Sequence, residues 1–212
     1  MILVNGDSWT KRDPAPEGTT LWTEFLTEET GQEITNIALP GSSNQRIYRT
    51  TLEQLYTTNN ITHLIIGWSS IVRTEVPTVD GKYLFLTPLR VVNPMKDQYT
   101  ISDRTKTQIY DLFYRYCYNE NIAARSFLIM LLTLQDICKQ RNIRLINFHS
   151  FNNNFYRLDS DCKKLYNQLD LSTWVHIDST MEVELKEFPF EETNHVGTLG
   201  NAQWAKILAT RL

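Results

Sequence analysis

No Cys-x-x-Cys pair occurs in the chain. Its three cysteines, Cys117, Cys138 and Cys162, are widely spaced and odd in number. That excludes a disulfide scaffold and a thiolate metal or redox motif, and leaves them the role of small core hydrophobes. Proline and glycine are also scarce, seven and eight among 212 residues, so collagenous and low-complexity classes are excluded. Charge of one sign is missing too. The 21 Lys and Arg against 24 Asp and Glu leave a net charge of −3, with no basic cluster of the kind a nucleic-acid or anionic-membrane partner requires. The four histidines are scattered and no His/Cys/Asp group has ligand spacing, so no metal is implied.

Long apolar runs are lacking as well. The longest, Phe127 to Leu134, covers about eight residues against roughly twenty for a bilayer span. The segment Met1-Ile2-Leu3-Val4-Asn5 has no basic n-region and fails as a secretion signal, so a cytoplasmic location is expected. What is present is 42% hydrophobic content, enough for one sizeable core, and a single domain over residues 1–212 is expected.

Short apolar runs alternate with stretches of helical period, the pattern of a parallel sheet covered by helices. Strands are expected at Met1–Val4, Glu33–Leu39, His63–Ile66, Ile143–Phe148 and Trp174–Ile177, five in all. Helices are expected around Leu21–Leu26 and Ile47–Leu55, with Ser42 or Ser43 as cap of the latter. A long, broken helix over about Asp103–Gln140 and a last one over Gly197–Leu212 complete the set. Residues 74–100 interrupt the rhythm with Pro77, Pro88, Pro94 and an Asp80-Gly81 turn, so a hairpin excursion is expected there, either a lid or a surface loop. Its Tyr83–Leu86 stretch can serve a self-contact or fold back on the domain; oligomeric state is left open.

In open α/β sheets, function collects at the carboxyl ends of strands. The residues there are Gly6-Asp7-Ser8, Pro40-Gly41-Ser42-Ser43-Asn44, Gly67-Trp68-Ser69-Ser70 and His149-Ser150. A serine hydroxyl becomes a nucleophile when a base takes its proton, and a histidine base works best with a carboxylate fixing its tautomer. His63 and His176 fall in strands and read as structural, whereas His149 is ambiguous. His195 follows Glu191-Glu192-Thr193-Asn194 directly before the last helix, and Glu192 is spaced to meet its imidazole on one turn.

These blocks, in this order, resemble those of the SGNH (GDSL-type) hydrolases. Gly6-Asp7-Ser8 is similar to the first block. Asn36-Ile37-Ala38-Leu39-Pro40-Gly41-Ser42-Ser43-Asn44 is similar to the second, Gly67 to the start of the third, and His195 with Gly200, Ala202 and Trp204 to the last. Kinship with small SGNH-like proteins of phages and marine bacteria is a further expectation. The resemblance implies a flavodoxin-like three-layer α/β/α sandwich on a five-stranded parallel sheet. It also implies a serine esterase or acyl hydrolase without cofactor, acting on a small ester such as an O-acetylated sugar.

By the same resemblance Ser8 is the nucleophile, His195 the base and Glu192 the orienting acid where the family has Asp; Glu191 and Asp7 compete for that last role. Oxyanion donors would be the Ser8 and Gly41 N–H groups and, where the family carries Asn, Ser69. Losing such a donor costs about a hundredfold in rate. Asp7, Trp9, Asn44, Trp68 and Arg73 are the candidate substrate-binding residues. For Arg73 the competing expectation is a pair with Glu75, for Asn44 a helix cap, and for the tryptophans the core. Two other readings stand beside hydrolysis: acyl transfer, and a ligand-binding protein that keeps the pocket without the chemistry. A flavodoxin-like nucleotide module is weakened by the lack of a Gly-rich phosphate loop.

Overall fold

The computed structural model of the protein describes residues 1–12, 17–87, 103–151, 153, 159–190 and 195–212. Four parallel strands form the sheet: β1 (Ile2–Asn5), β2 (Ile34–Asn36), β3 (His63–Trp68) and, further along the chain, β6 (Arg144–His149). Their order is β2-β1-β3-β6, and Leu3 pairs with both Thr35 and Leu64 in register. Side chains alternate across a strand, so β1 and β3 each feed two cores. Leu3, Leu64 and Ile66 pack on one face with Ile47 and Leu55 of α2 (Asn44–Thr57) and Phe127 and Leu131 of α4 (Glu120–Gln140). Ile2, Val4 and Ile65 pack on the other with Trp22 and Leu26 of α1 (Trp22–Thr30) and Trp204 and Leu208 of α7 (Thr198–Ala209). Each such fully buried side chain contributes about 1.5–3 kcal/mol of transfer free energy. The result is three layers.

Among the described residues the sheet has four strands where five are expected. At Trp174–Ile177 only a single bridge to Asn147 forms, supported by the Val175 N–H bonding to the Asn147 carbonyl at 2.8 Å. His176 then takes a left-handed conformation (φ 55°), which no extended strand can continue. Hydrophobic content suggested a strand, but the backbone turns away after one pairing.

Other expectations shift by smaller amounts. β3 runs through Gly67 to Trp68. Ser43 caps α2, accepting from the Arg46 N–H at 3.2 Å. The long helix is broken: α3 (Asp103–Leu112) passes into a wider turn over Phe113–Cys117, and α4 restarts behind Asn119, whose side chain accepts from the Ile122 N–H. By length and composition α4 could cross a membrane, although one of its faces is buried against the sheet. The hairpin is present as β4 (Thr74–Pro77) and β5 (Tyr83–Leu86), antiparallel, closed by Gly81 at φ 77°. Arg49 of α2 holds it through Glu75 at 3.3 Å and by stacking on Tyr83 at 4.2 Å, while Leu84 and Leu86 are buried. Residues 88–100 of the expected excursion lie outside the described residues. Short helices α5 (Ser160–Tyr166) and α6 (Met181–Glu184) complete the chain before α7.

Candidate active site

The carboxyl ends of β1 and β3 approach each other closely because both carry glycine. A Cβ on Gly6 would strike the Thr10 side chain, and one on Gly67 would lie 2.6 Å from the Phe148 ring and 2.7 Å from Thr10 Oγ1. The turn after β1 therefore folds tightly, with Thr10 and Lys11 N–H groups both bonding to the Asp7 carbonyl at 3.0 Å. Ser8 emerges on this turn, half-buried.

His195 reaches it from the far end of the chain. Its Nε2 lies 2.9 Å from Ser8 Oγ, the geometry a hydroxyl needs to pass its proton to an imidazole. Three devices hold the imidazole's segment. Arg12 donates to the Val196 carbonyl at 3.0 Å, Asn201 donates to the Val196 and Gly197 carbonyls, and Gly200 leaves room where a Cβ would lie 2.9 Å from Val196. The His195 ring also packs on Trp9, centroids 5.2 Å apart, and Trp9 in turn meets Phe151 and Phe190 edge-on. Trp9 is nearly covered, so it forms a platform beneath the imidazole more than a wall of an open pocket. Phe190 and Val196 bridge on either side of residues 191–194. Glu192 and Glu191 lie outside the described residues.

Two backbone N–H groups are expected as oxyanion donors, those of Ser8 and Gly41. Among the described residues, neither the Ser8 nor the Gly41 N–H donates a hydrogen bond. Gly41 sits at φ 77°, a conformation that glycine adopts at little cost. The turn that carries it is docked on β1 by the Leu39 N–H bonding to the Gly6 carbonyl.

Several candidates occupy other places than expected. Asp7 has no exposure and touches neither solvent nor His195 in any described contact. Its carboxylate accepts from the Trp9 N–H at 3.1 Å and from Arg73 Nη1 at 3.3 Å, with the Ser69 and Ser150 hydroxyls beside it. Burial outweighs these favourable partners and raises its pKa above the usual carboxylate value. Ser69 is likewise buried, its hydroxyl accepting from Arg73 Nη1 at 3.0 Å; it is tied to the Asp7–Arg73 pair and does not line an open oxyanion site. Trp68 is a core residue, its Nε1 donating to Asn147 Oδ1 at 2.8 Å and its ring against Phe127. Asn44 neither caps α2 nor lines a pocket. Its Oδ1 accepts from the Ser69 N–H at 2.8 Å and its Nδ2 donates to the Ser69 carbonyl at 3.0 Å. Arg73 does not pair with Glu75, which Arg49 has taken.

Two residues were not singled out from the sequence. Asn153 donates to the Ser69 carbonyl at 3.1 Å, accepts from the Ile71 N–H at 2.8 Å and lies 3.3 Å from His149 Nδ1. Phe151 stacks beneath the Arg73 guanidinium at 4.4 Å. Both follow β6 within a few residues, where the strand-end rule points, but neither residue type signals chemistry by itself. His149 is buried against Trp174, and desolvation lowers its pKa to about 3; it is a neutral member of this scaffold.

The architecture defines an α/β fold that is shared with a solved lipase. The lipase Lip_vut3 from a goat rumen metagenome is similar over 99% of this chain and 96% of its own, at 12% identity and a TM-score of 0.50. A member of the lipolytic protein G-D-S-L family from Veillonella parvula covers 99% of this chain and 94% of its own, at 13% identity and a TM-score of 0.46. Residues 17–204 match the model of DUF6071, a family of unknown function, and the chain belongs to that family. The match starts beyond Ser8. No protein of curated function matches the sequence.

Proposed function

We propose that the protein is a serine hydrolase of small esters working through an acyl-enzyme. The observation that carries this reading is the 2.9 Å approach of His195 Nε2 to Ser8 Oγ. Ser8 Oγ attacks the ester carbonyl as His195 takes its proton, and the tetrahedral oxyanion accepts from the Ser8 and Gly41 N–H groups. Collapse breaks the ester C–O bond, and His195 returns the proton to the leaving alcohol. Water, activated by the same imidazole, then releases the acid. Glu192 is assigned to orient His195. The substrate class is a small acyl ester, an O-acetylated sugar being one member.

A second reading, a binding protein with diminished chemistry, is favoured by one observation: the Ser69 hydroxyl, at the motif position where the family carries Asn, is buried and engaged by Arg73. Turnover of p-nitrophenyl acetate by the native protein, Ser8→Ala and His195→Ala separates the two. Hydrolysis that falls about a thousandfold or more in both variants at unchanged circular dichroism supports the hydrolase. Background rates in all three, with no labelling of Ser8 by a fluorophosphonate, favour the binding protein.

A further inference from the structure

Arg73 carries a charge that the described structure leaves half used. Its guanidinium is mostly buried, with 17% of the side chain exposed. It stacks on Phe151 and spends Nη1 alone, on Asp7 Oδ2 and Ser69 Oγ. Among the described residues, Nε and Nη2 make no hydrogen bond, although a guanidinium offers five donors in a planar fork. The acid nearest in sequence, Glu75, is held by Arg49 at both oxygens. Among the described residues, the carboxylate against Arg73 is Asp7, whose ionisation is disfavoured by burial.

The position of this group is as informative as its valence. Asp7 is the residue before Ser8. On the other side, Phe151 under the guanidinium meets Trp9 edge-on at 6.4 Å, and Trp9 meets the His195 ring at 5.2 Å. Arg73 is thus linked to Ser8 through one intervening residue, Asp7, and to His195 through two, Phe151 and Trp9. A planar fork whose Nε–Nη2 edge is unspent, in a mostly desolvated place, suits a carboxylate, which it can hold by parallel charge-assisted bonds.

We propose that Arg73 is a specificity-determining residue of this site and that the ester it selects carries a carboxylate near the scissile bond. This rests on the hydrolase reading and goes beyond it by naming a charged substrate class. The carboxylate can belong to the acyl or to the alcohol portion, and two substrate pairs separate these sources. On the acyl side, p-nitrophenyl hemisuccinate is compared with p-nitrophenyl methyl succinate, the same skeleton with its charge masked. On the alcohol side, 3-acetoxybenzoate is compared with 3-acetoxybenzamide.

The native protein is expected to favour the charged member of one pair by about tenfold or more in kcat/KM. Arg73→Gln should bring that ratio close to one. If Arg73→Gln does not fold, Arg73→Lys makes the comparison, because it keeps a charge against Asp7 but loses the fork; the ratio should then fall several-fold. No preference in either pair, or a preference that persists in the folded variant, overturns the proposal. Glutarate binding to Ser8→Ala, measured by calorimetry, keeps this outcome distinct from the fate of the hydrolase reading. Binding that disappears in Ser8→Ala/Arg73→Gln, with no ester turned over by the native protein, retains the carboxylate site and discards the hydrolase. Ester turnover with no charge preference and no glutarate binding does the reverse.

Discussion

Asn44 holds Ser69 by both of its backbone polar groups, the N–H at 2.8 Å and the carbonyl at 3.0 Å. An asparagine amide here reproduces the two-bond pairing of a strand neighbour, and it joins the first turn of α2 to the segment leaving β3. Asn44→Ala would leave the buried Ser69 N–H without a partner, at a cost of about 1–3 kcal/mol. Denaturant unfolding should show that loss as a lower midpoint at unchanged slope. Asn153→Ala should cost less at Ser69, whose carbonyl keeps Asn44, and the two substitutions should not be additive.

Acid sensitivity should be traceable to His149. Burial holds its folded pKa at about 3, below the 6.5 of an exposed histidine. Between those values the unfolded chain binds a proton that the fold does not, so stability falls as the pH drops from about 6.5 towards 3, by up to roughly 1.4 kcal/mol per pH unit. Asp7 acts with the opposite sign. Its raised pKa means the fold takes up a proton before the unfolded chain does, which favours the fold on acidification. Thermal midpoints from pH 7 to 4 should therefore decline in the native protein and decline less in His149→Gln.

The close approach of β1 and β3 predicts a cost for bulk at Gly67. Gly67→Ala places a methyl against the Phe148 ring and Thr10, and overpacking of this kind costs about 1–3 kcal/mol. Phe148→Leu in the same chain should recover part of it. Equal and additive losses in the double variant would show that the contact is not the cause.

Gly41 should matter more for turnover than for stability. Gly41→Ala forces a side chain onto a φ of 77°, worth roughly 1 kcal/mol of folding free energy. The shifted turn moves a proposed oxyanion donor, and a lost donor lowers kcat by about a hundredfold. A p-nitrophenyl ester assay beside a melting curve separates the two effects.

The sequence carried much of this arrangement because its signals were local. Gly6 two residues before Ser8, Gly67 near the end of β3, serine ahead of α2 and the helical spacing of Phe127, Leu131 and Leu134 each speak within a few residues. The missing fifth strand was not legible. Trp174 and Val175 are buried like strand residues, but the left-handed turn at His176 depends on how the chain leaves the sheet. The inward fate of Asp7, Ser69 and Asn44 was hidden for a related reason. Polar residues at strand ends look alike whether they face a ligand or one another, and their partners Arg73 and Asn153 are set by tertiary packing. Asn153 lies 84 residues from Ser69, too far for any spacing rule.

Ser8 and His195 are separated by 187 positions, and that distance is also a time. At about 5–20 residues per second, a ribosome adds the imidazole roughly ten to forty seconds after the hydroxyl. Through that interval the nascent polypeptide displays its serine without the partner that would activate it. α7, which docks on α1 and anchors His195, emerges later still. In the proposed hydrolase, synthesis order thus keeps the growing chain inert towards esters until His195 is added.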